Sequence, residues 1–316
     1  MEFKEFSFDM LGSKIHIVLE KKLDDKKAQK IVQECYEECG RIDDWYSRFK
    51  EYNTLTLLNE VIGEWQEVDE EVLYLFSKAK EFETQTDNYF TLSTKEILEA
   101  WGYDVEYNLD KNSSYNEDEF EDWSDREKKE KKLVQKISIK SFEIDEEEMS
   151  VKLNSPIEFG GLGKGYALDC MVEICKNHNL NAFMISAGGD LYSYHKDSTK
   201  GFLVYLEHPI NEKEQIGTID VNGFSLASSN SNRRKWNNYH HIVNPKTKQP
   251  ANEMLSVYIQ AQKGIDADAY ATALYAMGFD RAKEVLMSLK GVEGLLISND
   301  LKIWKTNNFK CTLHDK

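Results

Sequence analysis

The stretch IDADAYATALYAMG, residues 265–278, constrains the fold of this chain more than any other. Ala267, Ala269, Ala271, Ala273, Leu274, Ala276 and Met277 occupy nearly every side of the helix it predicts, leaving no polar face for water. Such a helix is buried all round. Yet Asp268 and Thr272 lie four residues apart within it, one turn from each other on one face. A carboxylate and a hydroxyl placed together in an apolar interior are either capped and paired for structural reasons or hold something.

At 316 residues the chain is long enough for one large domain or two modest ones around a substantial core. No run of 18 apolar residues occurs, so no transmembrane segment is expected. The net charge of −16 disfavours DNA, RNA or anionic lipid as the main partner, because those need basic surfaces. The five cysteines (Cys35, Cys39, Cys170, Cys175 and Cys311) are odd in number and lack a Cys-x-x-Cys pair. Buried or idle thiols are the expectation. The opening MEFKEFSFDMLGSKIHIVLE alternates apolar and polar residues like a first strand and lacks the apolar stretch and cleavage site of a signal peptide. The sequence as given therefore reads as cytoplasmic; a chain trimmed of its signal would look the same and would be extracytoplasmic.

Apolar residues recur at helical spacing over 25–48, and again in VDEEVLYLFSKAKEFETQT, where Asp69 is a natural N-cap. The pattern breaks at 105–132, an acidic stretch followed by lysines that reads as a surface insertion; an acidic docking site is the other reading. Ser124 and Glu127 there make a capping box. Strand alternation resumes in KISIKSFEIDEEEMSVKLN around a turn. Further strands are expected at NAFMISAG, GFLVYLEH, IGTIDVNGFSLAS and LSVYIQAQ, with an Asn222–Gly223 hairpin turn in the third. A helix at DRAKEVLMSLK and a hairpin through Asn299–Asp300 close the chain. Strands and helices mixed with many hairpins predict an α+β fold, not a doubly wound sheet. Only four prolines and no low-complexity linker predict one continuous domain with subdomains over 1–316.

Three further stretches carry polar chemistry. EFGGLGKGYALDC, residues 158–170, brings a backbone free of side chains, a helix start and Lys164 together, a combination that suits a pyrophosphate. It matches neither the P-loop nor the G-x-G-x-x-G spacing. Glycine-rich turns before helices are common, and alone the stretch is weak. ISAGGDLYS runs a strand into Gly188-Gly189-Asp190. SSNSNRRKWNNYHHIVNP holds two arginines and the His240-His241 pair, for which a solvated loop and a structural histidine are the plainer accounts.

In order, Gly-Gly-x-Gly-Lys-Gly, Gly-Gly-Asp, His-Ile-Val-Asn-Pro and Ala-Asp-Ala-x-Ala-Thr-Ala resemble the FAD:protein FMN transferases, the ApbE family. FDMLGSKIHI resembles that family's opening strand. YSRFKEYNTLTLLNE and NYFTLSTKEILEAWGY are similar to its Ser-x-Phe and Gly-Ala-Phe-Asp stretches. The resemblance implies an ApbE-like, tunnelling-fold-related domain of two packed subdomains, with mixed, mostly antiparallel sheets and helices.

It implies a Mg²⁺ site made by Asp268, Thr272 and a backbone carbonyl of Gly161, with FAD as substrate and its pyrophosphate over the turn and metal. A Ser or Thr hydroxyl of an acceptor protein would attack the phosphorus on the FMN side and AMP would leave. Lys164 would assist at the phosphates, with its ammonium free to reach them, and His241 would assist proton removal. Met10, Tyr89, Phe90, Thr91 and Glu158 align with flavin- and adenosine-contacting positions. Asn88-Tyr89-Phe90-Thr91 departs from Gly-Ala-Phe-Asp and lacks its carboxylate, Glu158 stands where Asp is usual, and Asn244 replaces an Asp. An FAD pyrophosphatase, with water in place of the acceptor hydroxyl, and a catalytically silent flavin-binding protein are the alternatives.

Overall fold

The computed structural model describes residues 2–103, 131–211, 213–230, 235–236 and 239–314. The acidic stretch over 105–130, with Ser124 and Glu127, lies outside them, as do Arg233 and Arg234. The fold is built on an eight-stranded sheet. Its strands are β1 (Phe3–Met10), β2 (Ser13–Glu20), β3 (Ala182–Ala187), β4 (Asp190–His195), β5 (Phe224–Asn230), β6 (Met254–Ala261), β7 (Glu293–Ser298) and β8 (Ile303–Lys305). They lie side by side in chain order, each antiparallel to the next.

Two turns differ from the sequence-based expectation. The opening alternation folds as a hairpin of two strands, not one. Leu11 (φ 56°) and Gly12 (φ 63°) make a two-residue turn of the left-handed kind that matches strand twist, so Met10 pairs with Ser13. Asn222–Gly223 is a turn but not a hairpin. The strand before it, Gln215–Val221, belongs to a three-stranded sheet with Phe202–Glu207 and Cys311–Leu313, whereas β5 after it joins the large sheet. The Asn222 side chain fixes this crossing. It accepts from the His195 N–H at 2.7 Å and donates to the carbonyls of His195 (3.1 Å) and Lys200 (2.7 Å), while Gly223 takes φ +77°.

Seven named helices complete the described residues: α1 (Asp25–Tyr46), α2 (Thr54–Glu60), α3 (Glu70–Gln85), α4 (Lys95–Ala100), α5 (Gly163–Asn177), α6 (Gly264–Met277) and α7 (Phe279–Ser288). Asp24 caps α1, accepting from the Lys26 and Lys27 N–H groups, and Asp69 caps α3, accepting from the Val72 N–H. A small third sheet pairs Ser150–Lys152 with Trp65–Glu67 and Glu143–Asp145.

The position of α6 explains its composition. It lies on β5 and β6, with α5 and α7 packed on its other sides, and α5 in turn packs on α1. Every residue from Ala267 to Ala271 is buried. Small side chains let α5 come very close. A Cβ on Gly165 would stand 2.3 Å from the Gly264 carbonyl oxygen, and one on Gly264 2.6 Å from that of Gly165. Bulk at either position would push the helices apart. No helix among the described residues is long and apolar enough to cross a membrane. The cysteines are free thiols; Cys35, Cys39 and Cys175 are buried.

Candidate functional site

The helix pair α5–α6 brings the predicted polar residues together. Asp268 is 3% exposed. Its carboxylate accepts from Lys164 Nζ at 3.0 Å to each oxygen and from the Gly165 N–H at 3.0 Å. Burial holds this carboxyl above the usual carboxylate range, against the pull of the Lys164 ammonium.

The same ammonium reaches a second buried carboxylate, Asp190 Oδ2, at 3.1 Å. Asp190 opens β4, and its Oδ1 accepts from the Ser228 N–H at 3.2 Å on the neighbouring strand β5. Lys164 is therefore held between two carboxylates, a correction to the freely reaching ammonium expected from its glycine neighbours. With both carboxylates ionised, the group carries one negative charge more than its lysine balances among the described residues. A cation or a proton restores the balance.

Two glycine turns line this group. Gly188 has φ +63°, and a Cβ there would meet Ser13 Cβ at 2.9 Å and Lys164 Cδ at 3.8 Å. Gly161 sits over the other end of the Asp268 face. A Cβ on it would stand 3.5 Å from Thr272 Cγ2 and 3.2 Å from the Phe90 ring. Gly161, Phe90 and Thr272 thus meet at one spot, and Thr272 shares a helix face with Asp268. The Glu158 carboxylate steadies the turn, accepting from the Gly160 N–H and from the Thr94 hydroxyl, both at 2.7 Å.

The other expected contact residues are spread more widely. Met10 packs on α1 at Gly40, where a Cβ would stand 3.6 Å from its Cε. The Tyr89 ring lies under the Lys246 ammonium at 5.6 Å. Thr91 turns inward and donates to buried Glu83 at 2.9 Å, which also accepts from Ser141. Of the two histidines, His240 is structural: its Nε2 lies 2.6 Å from the Ala251 carbonyl and its Nδ1 accepts from the Ile242 N–H. His241 stands beside Tyr103, ring centroids 6.4 Å apart.

Two residues of this region carry no role in the sequence-based expectation. Asp190 is one, although Gly-Gly-Asp marked its position. Asp169 is the other. Its carboxylate accepts from the Gly264 (2.6 Å) and Ile265 (3.0 Å) N–H groups, so α5 caps the start of the helix that carries Asp268.

Among the described residues no three His, Cys, Asp or Glu side chains gather as a metal cluster. The donor set at Asp268 and Thr272 is of another type. A carboxylate and a hydroxyl on one helix face, beside a backbone turn and in a group short of positive charge, suit a hard cation that takes few protein ligands.

Comparison with known proteins agrees in fold. The FAD:protein FMN transferase of Treponema pallidum (strain Nichols) is 27% identical over 162 residues, covering 46% of this chain and 45% of that protein. That of Escherichia coli (strain K12) is 25% identical over 167 residues, covering 50% and 47%. The chain spans about half the length of the curated relatives it matches. The crystal structure of the ApbE protein from Thermotoga maritima superposes with a TM-score of 0.82 at 25% identity, covering 98% of each chain. The flavin transferase ApbE from Vibrio cholerae shares the fold with a TM-score of 0.79 at 19% identity, again over 98% of each chain. A model of the ApbE family matches residues 11–296, which include β2 to β6, most of β7 and every residue of the Lys164–Asp190–Asp268 group, and the chain belongs to that family.

Proposed function

We propose that this chain transfers FMN from FAD to a Ser or Thr hydroxyl of an acceptor protein, with AMP as the second product and Mg²⁺ as the metal. The observation that carries the reading is the buried group Asp268–Lys164–Asp190 beside the turns at Gly161 and Gly188, in a chain matched to the ApbE family from residue 11 to 296. In this reaction the acceptor oxygen bonds to the phosphorus on the FMN side. The bond from that phosphorus to the bridging oxygen breaks, and AMP departs with the electron pair. The hydroxyl proton passes to a base, the role we assign to His241.

Asp268, Thr272 and the Gly161 carbonyl would hold Mg²⁺, which when bound neutralises charge on the pyrophosphate. The residues of the chain do the rest. A Cβ at Gly188 would press on Ser13 and one at Gly161 on Phe90, so both turns pack closely, and phosphate oxygens beside them would meet backbone in place of a side chain. The start of α5, at Gly163, presents the positive end of its dipole, while its Gly163 and Gly165 N–H groups are taken by the Phe159 carbonyl and by Asp268. Lys164 holds both carboxylates in place and neutralises part of their charge, so a polyanion entering the site meets less repulsion.

The test is mass spectrometry of a candidate acceptor after incubation with the chain, FAD and Mg²⁺, with AMP followed by chromatography. Addition of one FMN to the acceptor and one AMP per modified hydroxyl is expected. AMP and free FMN appearing equally fast without any acceptor would replace this reading with that of an FAD pyrophosphatase.

A further inference from the structure

Arg48 has no part in the site as described so far. It follows the C-terminal end of α1 and is only 9% exposed. Its guanidinium lies over the faces of two rings, 4.7 Å from the Phe49 centroid and 4.5 Å from that of Tyr103. It donates through Nη2 to the Tyr103 carbonyl oxygen. No carboxylate lies within ion-pair distance of it among the described residues.

A buried arginine normally has a counter-ion, because an isolated charge is costly to remove from water. Two ring faces offset part of this cost but leave the in-plane edge of the fork unsatisfied, since a guanidinium carries five N–H donors. Phe49 and Tyr103 stand edge-to-face, centroids 5.6 Å apart with 81° between their planes, and the guanidinium in the corner they form keeps a planar donor edge. Such an edge matches two oxygens of a carboxylate or phosphate.

The surroundings connect this edge to the site. The Tyr103 ring that carries Arg48 also carries His241. Two residues before Arg48, the Tyr46 ring packs edge-on against Phe159, centroids 5.5 Å apart, and Phe159 begins the turn that contains Gly161. Phe159 also accepts the N–H groups of Leu162 and Gly163 on its carbonyl, so the position of Tyr46 and that of the turn are tied.

We propose that Arg48 is an anion-binding residue of this site and takes phosphate oxygens of the nucleotide substrate. The proposal rests on the reading of the site as one for FAD. It gives the binding cleft two cationic supports of different kinds: Lys164, neutralised by carboxylates, and Arg48, whose counter-charge arrives with the substrate.

Isothermal titration of the full chain with FAD and with riboflavin, which has no phosphate, tests it in the wild type, Arg48→Gln and Arg48→Lys. Arg48→Gln should bind FAD at least ten-fold more weakly and riboflavin as before. Arg48→Lys keeps a cation on the two rings but loses the fork, so it should also lose FAD affinity, by several-fold. FAD affinity fully retained in a folded Arg48→Lys overturns the proposal, and so do equal losses for both ligands. If Arg48→Gln does not fold, the lysine variant alone decides. A wild-type chain that binds riboflavin and FAD equally overturns both this assignment and the phosphate site it rests on, whereas a variant that binds FAD like wild type overturns the assignment alone.

Discussion

Lys164 joins three elements through one atom: its own helix α5, the start of β4 at Asp190 and the middle of α6 at Asp268. Removing its charge leaves two buried carboxylates facing each other. Lys164→Met should therefore destabilise the metal-free chain by about 3–5 kcal/mol at neutral pH, the usual cost of breaking a buried pair on one side. Urea denaturation measures it. Adding Asp190→Asn to that variant should recover part of the loss, since one of the two opposed charges is then gone. Mg²⁺ should stabilise Lys164→Met more than wild type, because carboxylates freed of the ammonium are open to another cation. A variant as stable as wild type, with no added response to Mg²⁺, would return Lys164 to the status of an ordinary surface lysine. The lysine itself was legible in the sequence, between glycines at a helix start. Its partners were less so: Asp268 lies 104 residues away, and the pairing with Asp190 depends on which strand the sheet sets beside α5.

At the scale of elements, the seating of α6 on α5 decides whether the site exists. The all-round burial of α6 could be read from its alanines, because a helix without a polar stripe has to be enclosed. What encloses it could not be read, and neither could the cap supplied by Asp169 from a different helix. The Asn222–Gly223 pair shows the same limit: its turn chemistry is local, but the crossing between sheets depends on what the asparagine finds at His195 and Lys200. Two outcomes are expected for the α5–α6 contact. Gly165→Ala should cost about 1–3 kcal/mol through overpacking, since its Cβ would stand 2.8 Å from Asp268 Cβ as well as against the Gly264 carbonyl. Asp169 should impose a pH dependence. Burial pushes its carboxyl up to about 6, against the two N–H groups it accepts. A carboxyl that binds its proton more tightly folded than unfolded adds stability that is fully present below the unfolded value of about 3.9, and is lost as pH rises through the folded one. Between pH 4.5 and 7.5 the wild type should lose about 1–3 kcal/mol through this group. Urea midpoints for Asp169→Asn should show that much less pH dependence. An unchanged slope would mean the carboxyl is not shifted as its burial implies.

Across the whole molecule, the described flanks of the acidic stretch within 105–132 come together. Tyr103, just before it, and Val134, just after it, belong to one small buried cluster with Ile97, Leu98, Trp101 and Val243. Residues 131–136 are helical and help form that cluster. The two ends of the stretch are therefore neighbours, and about ten Gly/Ser residues, with a root-mean-square reach of roughly 17 Å, suffice to join them. The large sheet, the α5–α6 pair and both glycine turns are built from residues outside the stretch. Replacing 105–130 with such a loop should leave FAD binding and AMP release at wild-type rates. Shortening the connection should add up to about 1 kcal/mol of stability from loop entropy. Calorimetric melting and chromatography of AMP check both. The informative failure is selective: FAD binding retained, with transfer to the acceptor protein lost, would assign the stretch to acceptor docking. There its acidic residues would favour a basic partner surface and lose their hold at high salt. Loss of FAD binding itself in a folded variant would show instead that the cluster around Tyr103 needs the stretch to present Arg48 and His241 to the nucleotide.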